Sequence, residues 1–490
     1  MNLENKKEII ILGGGAAGWL TALFCISRLN LHNITLIESK TIGILGAGEG
    51  TTPHMVDFLK SLHINIDDLI KKTKGTIKNG ISFENWNGNN KKYFHPFGIF
   101  HKADPFYISN IFSHGCYDFY LKTLINKKLD FKKYDYPTKI SYENKVDLVN
   151  LNYALHIDAR EFANYLKNVA IQRGVKHIEG DFKELKTDKY NFIKSIKLKN
   201  NKKYKCDFVF DCTGFARLLI GKHYKEKWIS YENHLPMKKA IPFILESEQN
   251  IKPYTQAIAM KHGWMWKIPL QNRIGAGYVF DSDYINNDQA VDEVNKFLNK
   301  KIKPIKVIDF KAGRYENTWV KNCMAVGLSS NFTEPLEATS LFLTVEQLNL
   351  IPQYFPYMFK PNKKALDQFN NIVGDSSDAV MHFLYMHYLT KRKDSKFWKE
   401  FKDKNKCPEK FKNILEYIKE GVLMYPLFTT DGKTASFVLR SYLYIASGLE
   451  LIKNKIELDG LESLEPNLNQ YKQILSNLKN TEHKAVYTFD

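Results

Sequence analysis

The chain predicts an α/β fold with α+β elaborations, and three observations carry that prediction. A short apolar run, Glu8–Leu12, stops at consecutive glycines and passes into a helical pattern that lasts through Arg28. A second apolar run, Asn33–Glu38, completes the strand–turn–helix–strand unit that opens a Rossmann-like, dinucleotide-binding sheet. Residues 230–285 alternate and carry many aromatics, as a sheet walling a pocket does, and beyond about 341 apolar residues recur at helical spacing.

Taken in order, Gly43–Pro53 is too glycine-rich for regular structure and reads as a mobile strap. Met55–Leu62 and Ile66–Lys74 read as short helices leading to Thr76–Trp86. Residues 88–150 read as an aromatic-rich insertion that adds to a pocket. Asp158–Arg173 is an amphipathic helix, and Phe208–Phe210 a buried strand ending at Asp211-Cys-Thr-Gly214. Lys306–Gly327 returns to the first domain, and Phe342–Ile351 and Phe411–Leu423 are helical. Three regions are expected: a discontinuous nucleotide-binding module (1–87, 150–230 and 306–345), a pocket sheet with its insertion (88–149 and 231–305), and a C-terminal helical region (346–490).

Bulk properties narrow the class. The 490 residues can hold one large core or two to three domains, and 44% hydrophobic with 13% aromatic content argues for a folded chain. Six cysteines (Cys25, Cys116, Cys206, Cys212, Cys323, Cys407) show neither a CxxC pair nor metal-ligand spacing. They read as reduced structural thiols of a cytoplasmic protein without a metal. The net charge of +18 comes from lysines scattered through stretches such as 199–205 and 298–304. No nucleic-acid-binding signature accompanies them, so solvated loops are the reading and no nucleic-acid partner is expected. Residues 9–26 are uncharged and nearly long enough to span a bilayer, but Glu4 and Glu8 precede them and three glycines interrupt them. A buried strand running into a buried helix explains them better, so a soluble protein is expected.

The strongest motif is Gly13-x-Gly15-x-x-Gly18, with Glu38 twenty residues after Gly18. Gly13 permits the tight turn, Gly15 lets backbone approach a pyrophosphate, and Gly18 lets helix pack on strand. Amides of the helix start, at Ala16 and Ala17, then face the phosphates, and Glu38 accepts from ribose hydroxyls. Asp211–Phe215 and Cys323–Gly327 fall where flavoproteins complete a FAD site. Flavin hydroxylases usually place an aspartate after the glycine of that last element; here Leu328 follows Gly327.

Further segments resemble the flavin-dependent halogenases of the tryptophan-halogenase family. Gly46–Pro53 is similar to the family's flavin strap, Thr76–Trp86 to the segment with its catalytic lysine, and Gly263–Pro269 (GWMWKIP) to its W-x-W-x-I-P motif. Tyr93–Gly98, Asp207–Ile220, Arg314–Gly327 and Phe332–Thr339 match further stretches, so that the likeness covers roughly residues 8–345. It implies a FAD-binding domain of the flavin monooxygenase type. It also implies an enzyme that uses FADH2, dioxygen and halide (chloride, bromide or iodide) to make hypohalous acid. By the resemblance, Lys78 captures that acid, as a haloamine or through a hydrogen bond, and a buried lysine's lowered pKa suits either role. Glu337 is the active-site glutamate that stabilises the cationic arene and helps remove its proton; a helix-capping acid is the alternative, because Leu336–Leu343 reads as a helix start.

Halide is expected at the amides of Thr339 and Ser340. The family reads E-S-T-G where this chain reads Glu337-Ala-Thr-Ser340, which puts halide size preference in question. By the resemblance, Ala47, Glu49, Gly50, Leu328 and Leu341 are expected as further cofactor contacts. Trp264 and Trp266, two apart on one strand, form a wall between substrate and flavin. His95 and Phe97 line the arene pocket, with a structural imidazole as the alternative for His95. The tyrosine pair and glutamate that hold tryptophan in close relatives have no clear counterpart in Ser441–Tyr444, so a small indole or phenol is the expected substrate. A separate flavin reductase is implied, and a homodimer is allowed. Two rivals remain: a flavin-dependent aromatic monooxygenase, and a non-catalytic basic flavin- or nucleic-acid-binding protein.

Overall fold

A computed structural model describes residues 7–30, 33–40, 43, 48–97, 153–249, 251–420, 437 and 439–453. Ala47, Cys116 and most of the insertion expected at 88–149 lie outside the described residues. The chain divides into two compact units, one of residues 1–75, 157–232 and 311–378, the other of 76–156, 233–310 and 379–490. The helical region expected apart from 346 is therefore not a unit of its own: its first part belongs with the first unit and its remainder with the second. Periodicity marks helices, whereas the core each helix joins is set by contacts from distant sequence.

In the first unit a six-stranded sheet runs in the order Trp319–Val320, Cys323–Ala325, Phe208–Asp211, Ile9–Leu12, Ile34–Glu38, Lys176–Glu179. Four of its five pairings are parallel, and only the hairpin to Trp319–Val320 is antiparallel. Both faces of a parallel sheet are covered, which explains why Ile9–Leu12 is a continuous apolar run with every residue buried. Ile10, Leu12, Ile37 and Val209 pack with Ile193, Ile196 and Leu198 from an antiparallel meander over 182–205. Helix Ala16–Arg28 buries Trp19, Leu20, Leu23 and Phe24. Helix Ala159–Gln172 is capped by Asp158, whose carboxylate accepts from the amides of Arg160 and Glu161.

The second unit is built on a seven-stranded sheet ordered Ile308–Asp309, Lys239–Leu245, Ile274–Phe280, Gly263–Pro269, Thr255–Ala259, Gly80–Glu84, Lys92–Pro96. One pairing, Thr255–Ala259 with Gly80–Glu84, is parallel. One face carries Ile241, Phe243, Ile258, Met265, Tyr278 and Phe280 into a core closed by helix Asn287–Leu298. Trp86 anchors the sheet by donating from Nε1 to the carbonyl of Ala257 at 2.9 Å.

The two stretches read as helical, Phe342–Ile351 and Phe411–Leu423, fall on helices Thr339–Phe359 and Glu409–Glu420, and the described residues add Lys363–His387, Lys396–Lys404 and Leu439–Gly448. Among the described residues no helix is long and apolar enough to cross a membrane.

Candidate active site

The glycine turn of the first unit is fixed by contacts that side chains could not share. Gly13 has φ +120°, and a Cβ there would lie 2.1 Å from the Cys212 carbonyl oxygen. A Cβ on Gly18 would lie 1.9 Å from the Gly13 carbonyl oxygen, so Gly18 serves closure of the turn itself as much as packing on a strand. Gly15 caps helix Ala16–Arg28 without a side-chain hydrogen bond, and nothing lies within 4 Å of where its Cβ would be. A helix start with unengaged first amides and open space above it is the cradle a pyrophosphate needs.

Two further loops close on this turn. Gly214, at φ +61°, also faces open space, and the Gly214 carbonyl accepts from the Ser329 hydroxyl at 3.3 Å. Gly327, at φ +69°, sits so near Ala17 that a Cβ would lie 2.6 Å from its methyl carbon. Leu328 is half-buried in the turn Gly327–Ser329, and Leu341 is buried in the first turn of its helix. These residues fit a flavin dinucleotide at the glycine turn.

Glu38 has more partners than the motif implies. Its Oε1 accepts from Lys167 and from His177, both at 2.7 Å, while Oε2 lies against Gly14, where a Cβ would be 1.6 Å away. Gly14, Lys167 and His177 were missed by sequence reasoning. Gly14 falls at an unspecified place in the motif, and the other two arrive from more than a hundred residues away.

Glu49 is half-buried in strand Gly48–Gly50, and burial together with the Asp158 carboxylate pushes it up from 4.5 to about 7. A carboxyl raised in the folded state stabilises most when protonated in both states, so its contribution is lost as pH rises from about 4.5 to about 7. Glu49→Gln is therefore expected to stabilise the fold at pH 8 by roughly 1–2 kcal/mol after allowance for partial exposure. No gain is expected at pH 4. Urea unfolding at the two pH values checks this, and an equal effect at both would exclude it.

Glu337 ends a single 3-10 turn, Pro335–Glu337, and is buried. Ala338 follows in the left-handed region at φ 57° and ψ 36°, and the helix starts only at Thr339, without a side-chain cap. Glu337 thus precedes the helix instead of opening it, as Leu336–Leu343 had suggested. Thr339 is buried, its hydroxyl 2.9 Å from that of Thr333, and Ser340 is half-buried. The first amides of a helix have no intrahelical acceptor, so Thr339 and Ser340 offer N–H donors here.

In the second unit, Lys78 is fully buried on strand Thr76–Lys78, which pairs antiparallel with Ala154–His156. Its cross-strand neighbour is Ala154, whose small side chain leaves room for the lysine. The Lys78 Nζ lies 5.0 Å from the centre of the Phe97 ring, whose face favours a cation. Phe97 in turn meets His95 edge-on at 6.5 Å, and His95 packs against Phe383 and Tyr444 at 5.7 and 6.3 Å. The structure thus gathers Lys78, Phe97 and His95 into one aromatic-lined cluster.

Trp264 and Trp266 lie 6.2 Å apart on one face of Gly263–Pro269, while Met265 between them enters the core. Gly263 is required because a Cβ would meet the Val279 carbonyl oxygen at 1.9 Å. Opposite Trp266 stands Gly277, and the indole lies over it.

A network missed by sequence reasoning joins these strands. Thr76 donates to the carbonyl of Pro269 at 2.7 Å, and the buried His156 bridges Thr76 and Thr255 at 3.0 Å from each nitrogen.

The family model for tryptophan halogenases matches residues 8–458. The tryptophan 6-halogenase SttH of Streptomyces toxytricini is 30% identical over 432 residues, covering 82% of each chain. The tryptophan 7-halogenase RebH of Lentzea aerocolonigenes is 30% identical over 424 residues, or 81% of this chain and 79% of RebH. Among solved structures, Xcc4156, a flavin-dependent halogenase from Xanthomonas campestris, superposes with a TM-score of 0.84 at 27% identity over 99% of both chains.

Proposed function

The chain belongs to the tryptophan halogenase family and is a flavin-dependent halogenase, and from this we infer how its own residues divide the work. Bound reduced flavin, with dioxygen, supplies the oxidising equivalent that turns halide into hypohalous acid. Gly13, Gly15, Ala16, Ala17 and Gly18 would hold the dinucleotide, helped by Glu38, Ala47, Glu49, Gly50, Leu328 and Leu341. A separate reductase delivers the FADH2.

The observation that carries the reading is Lys78, a fully buried cation on an aromatic face. A lysine sealed from water exchanges halogen with an incoming hypohalous acid and not with solvent nucleophiles. Glu337 is the carboxylate that stabilises the arenium charge and assists proton loss. The amides of Thr339 and Ser340 hold the halide. Ser340 stands where the family has glycine, which opens the halide size preference, and on this reading bromide or iodide outcompetes chloride; strict chloride preference in mixed-halide assays would remove this point.

SttH and RebH act, by their names, on tryptophan at its 6- and 7-position. For this chain the reading is an electron-rich indole or phenol lying along His95 and Phe97, with Trp264 and Trp266 as the wall. A cytoplasmic enzyme, as homodimer or monomer, without a nucleic-acid partner, belongs to the same reading.

The test supplies FADH2 from an unrelated reductase with each halide and a panel of indoles and phenols. Halogenated product, detected by mass, is expected from the wild type. Glu337→Gln is expected to lose kcat by about 10²-fold with KM little changed, the usual scale of acid–base assistance. Hydroxylated product alone would favour a monooxygenase.

A further inference from the structure

His156 is buried on the strand that pairs with Lys78's own strand, and its hydrogen bonds define its proton. The Thr76 hydroxyl gives its hydrogen to the Pro269 carbonyl, which can only accept. Toward His156, Thr76 is therefore the acceptor, and the Nδ1 of His156 must carry a hydrogen. Burial and the nearby Lys78 charge both hold the imidazole pKa well below its ordinary value. In the neutral ring Nε2 then accepts from the Thr255 hydroxyl.

The register sets what this fixes. Thr76 and Lys78 are two apart on one strand and share a face, and His156 stands opposite Thr76 with Ala154 opposite Lys78. The imidazole is thus the diagonal neighbour of the lysine, at about 7–8 Å between backbones. Its two threonines tie Lys78's strand to the end of the tryptophan strand and to Thr255–Ala259, which pairs with that strand through Ala257 and Ala259. Among the described residues, Lys78 is the charged group whose field reaches the ring. Thr76, Thr255 and Pro269 are uncharged, and Asp158, next on the same side of His156's own strand, is engaged in capping the following helix.

We propose that His156 is a positioning residue for Lys78: an imidazole whose Nδ1–H is fixed on Thr76 and which holds the Lys78 strand against the tryptophan-bearing sheet. The proposal rests on Lys78 as the halogen-capturing group. In that step the amine nitrogen forms the N–X bond, the X–O bond breaks, and the hydroxide leaves as water with the amine proton.

Two measurements on the full chain test it. With ¹⁵N-labelled histidine, the His156 resonances (identified by their loss in His156→Asn) are expected to show the neutral Nδ1–H tautomer throughout pH 5.5–8.5 on this ring's chemistry. An Nε2–H form in that range, with no hydrogen on Nδ1, overturns the proposal. Second, dilute hypochlorite is added, the chloramine is trapped with a sulfinic acid, and peptide masses report modification of Lys78. Thr76→Val, which keeps shape but loses the hydroxyl, is expected to lower trapping at Lys78 about tenfold, with the tautomer signature lost. Thr76→Ser restores both. Unchanged trapping in Thr76→Val at an unchanged melting temperature overturns positioning. Absence of Lys78 trapping in the wild type would instead sink the capture reading, and the tautomer result would still stand apart from it.

Discussion

Lys78→Met is expected to abolish halogenated product, by at least about 10²–10³-fold, without loss of fold or of flavin binding. Methionine approximates the length of the lysine stem and fills the same space opposite Ala154. What disappears is the amine over the Phe97 ring. Lys78 is fully buried, so the fold persists only if its space stays filled, and methionine fills it. Loss of chemistry with a retained melting temperature is a signature that a structural lysine would not give. If halogenation persisted above a tenth of the wild-type rate in the presence of a thiol scavenger, Lys78 would not be the capturing group.

The pattern of what the sequence revealed follows from the range of each interaction. Gly13, Gly15 and Gly18 could be read because a turn between a strand and a helix imposes local backbone demands. Trp264 and Trp266 could be read because strand side chains alternate over two residues. Gly14 could not, since its need for a missing Cβ comes from Glu38, itself held by Lys167 and His177. His156 and Thr255 are separated by 99 residues, and their bridge exists only through strand pairing.

Helical periodicity beyond 341 pointed to helices such as Thr339–Phe359 and Glu409–Glu420. It could not say that the stretch divides between two cores near 378, because that division lies in tertiary contacts. Glu337 shows the same limit at short range. The apolar spacing of Leu336–Leu343 resembled a helix start, yet one left-handed residue, Ala338, delays the helix to Thr339.

The tryptophan pair offers the second large effect. Gly277→Ala is expected to displace Trp266, lower stability by about 1–3 kcal/mol, and reduce halogenation at least about tenfold. The two positions face each other across antiparallel strands, and a Cβ on Gly277 would lie 2.1 Å from Cη2 and Cζ2 of the indole. No real contact is that short, so the ring must swing away or the strands must part. Gly277 does not have a positive φ, so alanine suits the backbone and the effect is steric. Because Trp264 lies 6.2 Å from Trp266, movement of one ring disturbs the packing of the other. Trp266→Phe removes the colliding outer atoms, so the Gly277→Ala penalty should largely vanish in that background. A coupling of about 1 kcal/mol or more between the two substitutions, measured by urea unfolding, is expected for side chains in direct contact. Additivity within about 0.5 kcal/mol would show that the indole does not depend on the missing Cβ.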